Sequence, residues 1–312
     1  MEETSNDFNI FNANPSNSSN KEVMDNSEDT QPTVSFDPES MYYNMSGDKY
    51  LIIFNHYTFK KTKYFQYKQP STRNGTFEDV KSLKDLFEGL SYNVTTYTDL
   101  VYEDILNRVA EFCKRDHSKT SCVIVTILTH GDSGEVFAAD QPYKISDLTN
   151  MIENAHHTLV GKPKIFFVQA CRGPFMDEGR TVVLDGESRG VLRLPTHSDF
   201  LFLHSSVDEL VTRVPVLSTI SRLFAVFSFK KLRKRRGYLS YRDSRGSWLI
   251  QTLCEIIRKN HKEIDLLHMI TMVNKSIAYA KSTYTPKCQE TNNKKQMTET
   301  RFTLTKLFMF EK

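Results

Sequence analysis

What this sequence of 312 residues lacks narrows the reading before anything it contains. No stretch approaches the ~18 consecutive apolar residues that a membrane-spanning helix needs. The opening Met1-Glu2-Glu3-Thr4-Ser5 has no basic flank followed by an apolar segment, so no secretory leader is read there. Cysteine is sparse, odd in number and scattered: Cys113, Cys122, Cys171, Cys254 and Cys288 suit neither a disulfide framework nor a paired Cys-x-x-Cys metal clamp. Strong charge of one sign is also missing, because 41 basic against 38 acidic side chains leave a formal net charge of +3. The chain is therefore expected in the cytoplasm with reduced thiols and no membrane attachment. Its Asn-x-Ser/Thr triplets, such as those at Asn17, Asn74 and Asn93, then carry no glycan.

Along the chain, residues 1–40 are rich in Asn, Ser, Asp and Glu, with Lys21 the only basic side chain. They read as a disordered acidic leader, too short and polar for a helical adaptor domain. From Tyr50 onward apolar runs alternate with amphipathic segments. Leu51 to Asn55, Val94 to Tyr97, Cys122 to Leu128, Ile165 to Val168 and Phe200 to Leu203 read as strands. Val80, Leu83, Leu86, Phe87 and Leu90 recur at helical spacing, as do Leu100 to Cys113, Ile145 to Ile152, Trp248 to Ile257 and Leu266 to Ile277. Strands alternating with helices of this length imply right-handed crossovers and a mostly parallel sheet covered on both faces. The run Phe302 to Phe310 is read as a last strand seeking a partner.

In such a sheet, ligands gather beyond the carboxyl ends of the strands. Two apolar runs end in chemistry there: Gln169-Ala170-Cys171-Arg172-Gly173 follows one, and Thr129-His130-Gly131-Asp132 follows the other. A cysteine attacks a carbonyl as the thiolate, and with a free pKa near ~8.5 it needs a partner such as an imidazole. His130 can take the thiol proton and later hand it to the departing amine. Gly131 lets backbone approach a developing oxyanion, with the N–H of Cys171 as the second donor. Alone, a cysteine after an apolar run is more often a small buried hydrophobe, and a histidine at a strand end more often satisfies a turn.

Together with their neighbours these residues become specific. The string QACRG with a histidine some tens of residues upstream is a known caspase signature. From about Tyr43 to the C-terminus the chain resembles an executioner caspase, a cysteine endopeptidase that cuts after aspartate. Ile53-Phe54-Asn55-His56 with Phe59, Ser71 to Thr76, Tyr238 to Arg242 with Gly246-Ser247-Trp248, and Leu304-Thr305-Lys306 as a closing strand carry the match at separate places. The resemblance implies a three-layer α/β sandwich and a catalytic pair of Cys171 and His130 with Gly131. It also implies a pocket of Arg73, Gln169 and Arg242 for the substrate aspartate; Ser240 holds the substrate backbone, and Tyr241 and Trp248 wall the neighbouring subsites. Two guanidinium groups and an amide suit a planar carboxylate. Tyr241 stands where the family usually has tryptophan, and Asp243 where asparagine is common in executioners.

The same resemblance implies a zymogen divided into a propeptide at 1–40, a large-subunit region at 41–177, a linker at 178–198 and a small-subunit region at 199–312. Asp185 in the linker, and Asp29 and Asp37 in the leader, are the candidate processing sites. An upstream initiator protease, aspartate-containing protein substrates, inhibitor-of-apoptosis proteins and a second copy pairing through the final strand are the expected partners. No metal or organic cofactor is implied. Residues 209–236, ending in Lys230-Lys231-Leu232-Arg233-Lys234-Arg235-Arg236, interrupt the pattern. They read as a solvated insertion beside the substrate groove; a nucleic-acid or membrane contact rests on that basic tract alone and is not expected. The alternative function is a caspase-like regulator whose groove the insertion disrupts.

Overall fold

The computed structural model describes residues 33–311 except 36, 38, 133, 173–197, 207–239, 244 and 285–291. Most of the expected leader, nearly all of the linker and the whole of 209–236 therefore lie outside the described residues. A six-stranded sheet organises the rest. Its strands are β1 (Asp48–Asn55), β2 (Tyr92–Thr98), β3 (Thr120–Leu128), β7 (Lys164–Gln169), β8 (Phe200–His204) and β11 (Glu299–Phe302), in the spatial order β11-β8-β7-β3-β1-β2. All neighbours are parallel except β11, which runs antiparallel to β8.

Successive side chains of a strand face opposite ways, and each central strand is apolar at nearly every position, so both faces can bury. Leu51, Ile53, Ile124, Ile165, Phe167, Leu201 and Leu203 join one core beneath α1 (Thr76–Gly89), α4 (Trp248–Asn260) and α5 (Leu266–Lys275). Ile52, Phe54, Val125, Ile127, Phe166, Val168 and Phe200 join the other, beneath α2 (Tyr102–Cys113) and α3 (Ile145–Glu153). The result is the expected three-layer α/β sandwich. All nine residues of β3 are buried, which fits its central place. Burying each such Val, Leu, Ile or Phe is worth ~1.5–3 kcal/mol. Two helices start on side-chain caps: Ser247 Oγ accepts from Ile250 N for α4, and Asp265 accepts from Leu267 N and His268 N for α5.

The expected last strand is corrected. β11 ends at Phe302, the first residue of that run, and beyond it only Leu307 makes a bridge, to Tyr42. Phe308 and Phe310 are 1% and 0% exposed and fill the core under α1, where Phe310 meets the Phe87 ring edge-on. The run is apolar because it plugs its own core, not because it offers an edge. A second feature was missed: β4 (Gly131–Asp132), β5 (Glu135–Phe137) and β6 (Pro142–Tyr143) form a small antiparallel sheet after β3. The remaining pair, β9 (Arg242–Asp243) and β10 (Gly246–Ser247), is a short hairpin that leads into α4.

The N-terminal described segment is stitched to the other end of the chain. Leu307 N donates to Met41 O at 2.8 Å and Tyr43 N to Leu307 O at 3.2 Å. Buried Tyr43 donates through its hydroxyl to Asp199 Oδ1 at 2.7 Å, and Thr305 Oγ1 donates to the same oxygen at 2.6 Å. Lys306 Nζ donates to the carbonyl oxygens of Asp37 and Ser40.

Candidate active site

The parallel ladder between β3 and β7 sets the site. Leu128 is opposite Gln169, and Thr129 N continues the ladder by donating to Gln169 O at 3.1 Å. One residue further, the chains carrying His130 and Cys171 leave adjacent strands side by side. Gly131 reports how closely: a methyl group there would lie 2.4 Å from Cys171 O and 2.7 Å from Glu135 O. Only glycine allows that approach. The turn bearing the thiol is buttressed from β8, because Ala170 N donates to Ser205 Oγ at 3.1 Å and Ser205 Oγ donates to Ala170 O at 2.9 Å.

His130 is packed 5.1 Å from the Phe59 ring, and its Nε2 lies 2.8 Å from Ser71 O. A carbonyl only accepts, so the neutral ring carries its proton on Nε2 and its lone pair on Nδ1. Burial, with Arg73 and Arg242 nearby, pushes the His130 pKa down to about 4, against the pull of Ser71 O. Burial also raises the Cys171 thiol, opposed by the Ser240 N–H, which points at Sγ from 3.4 Å, and by the two arginines. At neutral pH the resting pair is a thiol beside an uncharged imidazole.

The pocket residues converge on the same edge. Arg73 is fully buried; its Nη1 donates to His56 O at 3.0 Å and Thr76 Oγ1 at 2.8 Å, while its Nε and Nη2 have no protein partner. Those two donors form one flat face of the guanidinium, suited to a planar acceptor. Gln169, at the end of β7, donates through Nε2 to Ser240 Oγ. Arg242 Nε donates to Asn74 O at 2.7 Å, which pins the β9–β10 hairpin to the loop that carries Arg73. The Tyr241 and Trp248 rings meet at a tilt with centroids 5.0 Å apart, and Trp248 N donates to Tyr241 O. Every residue singled out for catalysis or substrate binding is thus brought to one end of the sheet.

The caspase domain family matches residues 48–213 and 232–309, most of the chain. The chain belongs to the caspase family. It is a cysteine-type endopeptidase, a hydrolase of a family whose work is proteolysis in apoptosis. It is 31% identical to caspase drICE of Drosophila melanogaster over 266 residues, covering 83% of this chain and 68% of that one. It is 34% identical to caspase-3 of Xenopus laevis over 231 residues, 73% of this chain and 72% of the relative. The crystal structure of caspase-1 from Spodoptera frugiperda superposes with a TM-score of 0.71 at 32% identity, covering 89% of this chain and 96% of that one. The break in this caspase's family match, between 213 and 232, falls inside 209–236.

Sequence reasoning missed two contributors. Ser71 acts through its carbonyl, which leaves no mark on the sequence. Asp79 lies on the buried stripe of α1 with Thr76, Leu83, Leu86 and Phe87; an acid in register with an apolar face was the available signal. Of the processing aspartates, Asp185 and Asp29 lie outside the described residues. Among the described residues, no cluster of three or more His, Cys, Asp or Glu could hold a metal, and no helix is long and apolar enough to cross a membrane.

Proposed function

We propose that this caspase cleaves proteins after aspartate by an acyl-enzyme route on Cys171 and His130. The observation that carries the reading is the abutment of the His130–Gly131 backbone against Cys171 beside the unpartnered face of Arg73. The substrate aspartate would place its carboxylate against Arg73 and Arg242. The amide of Gln169 joins them after a half-turn, which gives Ser240 Oγ–H to Oε1 and frees Nε2. Each charge-assisted bond is worth ~1.5–3 kcal/mol. The thiol proton passes to Nδ1 of His130 as sulfur bonds to the scissile carbonyl carbon, and the oxyanion is met by the N–H groups of Gly131 and Cys171. As the tetrahedral intermediate collapses, the C–N bond breaks and the imidazolium gives its proton to the amine. Water then gives a proton to His130 and attacks the thioester; sulfur leaves and is reprotonated. Ser240 and Arg242 would hold the substrate as an added strand, against walls of Tyr241 and Trp248.

The executioner role, cytoplasmic action and dimeric assembly extend the same reading. So do activation by an initiator through a cut at Asp185, release of the propeptide at Asp29 or Asp37, and restraint by inhibitor-of-apoptosis proteins. The test compares tetrapeptide reporters ending in Asp, Asn or Glu on the chain with and without 209–236. Turnover is expected to be Asp-selective by at least ~100-fold, the scale of one lost charged pair of contacts, and abolished by Cys171→Ala. Equal turnover of the Asn reporter removes the pocket. The break in the family match favours one second reading, a regulator with an obstructed groove; turnover that appears only without 209–236 supports it.

A further inference from the structure

The first turn of α1 touches both arginines of the pocket by different routes. Thr76 Oγ1 accepts from Arg73 Nη1 at 2.8 Å. One turn on, Asp79 is 0% exposed, and its Oδ1 accepts from Ser247 N at 2.8 Å and from Gln251 Nε2 at 2.9 Å. Ser247 is the cross-strand partner of Arg242 in the β9–β10 hairpin. Gln251 lies on α4 and is itself held from α1, because Ser82 Oγ donates to Gln251 Oε1 at 3.0 Å. The hairpin lies tight against this carboxylate: Gly246 has φ +110°, and a methyl group there would sit 2.4 Å from Asp79 Oδ1. A side chain at Gly246 would push the hairpin off that oxygen.

A buried carboxylate is costly unless charge or hydrogen bonds compensate it. Here two backbone or amide donors meet it, and both guanidinium groups attract it. Arg73 and Arg242 repel one another. Arg242 Nε is held on Asn74 O, next to Arg73, and the bond from Ser247 N to Asp79 is a second tie, which fixes the paired strand of the hairpin against α1.

We propose that Asp79 sets the spacing of Arg73 and Arg242, and so acts as a positioning residue for aspartate recognition without touching substrate. This rests on the reading of the pocket above. Loss of spacing weakens the grip on the substrate carboxylate before and during reaction alike, so it raises KM and spares kcat. The test measures KM and kcat for the Asp-ending reporter on the chain, on Asp79→Ala and on Asp79→Asn, with the rate of Cys171 alkylation by iodoacetamide as a check on the nucleophile. Asp79→Ala is expected to raise KM at least tenfold, to change kcat less than threefold and to leave alkylation within twofold. Asp79→Asn, which keeps an acceptor for Ser247 N, is expected to hold KM within threefold. An unchanged KM in Asp79→Ala overturns the proposal alone. So does a joint fall of kcat, alkylation and binding, or an Asn variant as impaired as the Ala variant. A chain cut in the linker and lacking 209–236 that stays inert toward Asp reporters removes the pocket reading as well.

Discussion

Cys171 and His130 rest as a neutral pair, and that state has a measurable signature. A thiolate–imidazolium pair would be reactive across a plateau reaching well into acid. Here the thiol lies above its ordinary value and the imidazole near 4, both chiefly through burial. The rate of alkylation by iodoacetamide in the substrate-free chain is therefore expected to climb steadily from pH 6 to 9, following the thiolate fraction. A plateau beginning below pH 6 would contradict it. Activation of the nucleophile is then left to the substrate's arrival, when proton transfer and bond formation proceed together. Residue identity made this pair legible from sequence, since Cys171 and His130 each follow a buried strand. Their electrostatics were not legible, because the groups packed or hydrogen-bonded against them, Phe59, Ser71 and Ser240, lie far from both in sequence.

The segment 33–45 behaves as an element although none of its described residues lies in a helix or strand. Asp37 turns the chain: its carboxylate accepts from Glu39 N at 3.0 Å, and its carbonyl accepts from Ser40 N and from Lys306 Nζ. The next residue is Pro38, whose nitrogen has no hydrogen. An aspartate so engaged cannot lie extended in a peptidase groove. Mass spectrometry of the processed chain is expected to find an N-terminus upstream of Thr33, such as Thr30 after Asp29. A mature chain beginning at Pro38 would show that the stitching yields. Elements with strong patterns were readable: β1, β3, β7 and β8 fall on their apolar runs and α2 on its period, and the weaker pattern of Ile145 to Ile152 also falls on a helix, α3. Periodicity failed where it had too few residues to show, as in the two- and three-residue strands between Gly131 and Tyr143. It misled at Phe302 to Phe310, because an apolar run carries no sign of whether it pairs or plugs; Phe308 and Phe310 do the second.

Across the whole molecule, buried imidazoles tie stability to pH. His56 is fully buried, and desolvation pushes its pKa down to about 4; His130 is pushed as far, and His117 and His204 are lowered by burial as well. Unfolded, each binds a proton below about 6.5, whereas in the fold His56 and His130 resist until about 4. Between those values the unfolded chain holds more protons, so stability is complete above pH 6.5 and falls as the pH drops toward 4. His56 alone accounts for ~3 kcal/mol over that span at ~1.4 kcal/mol per unit. Urea unfolding at pH 7.5 and 4.5 is expected to show the lower midpoint in acid; equal midpoints would mean that the buried rings are hydrated.

The sheet crosses the 173–197 interval without a seam, because β8 pairs with β7 along its full length and Tyr43, Asp199 and Thr305 bind the flanks together. Hydrolysis anywhere in that interval would free no fragment and unzip no ladder. The nicked chain would keep its β7–β8 pairing while losing the one bond that cannot be remade in place. On the activation route proposed above, switching such a molecule on would be a ratchet: it would advance with a single peptide bond, and quenching it afterwards would require that something plug it or destroy it entire.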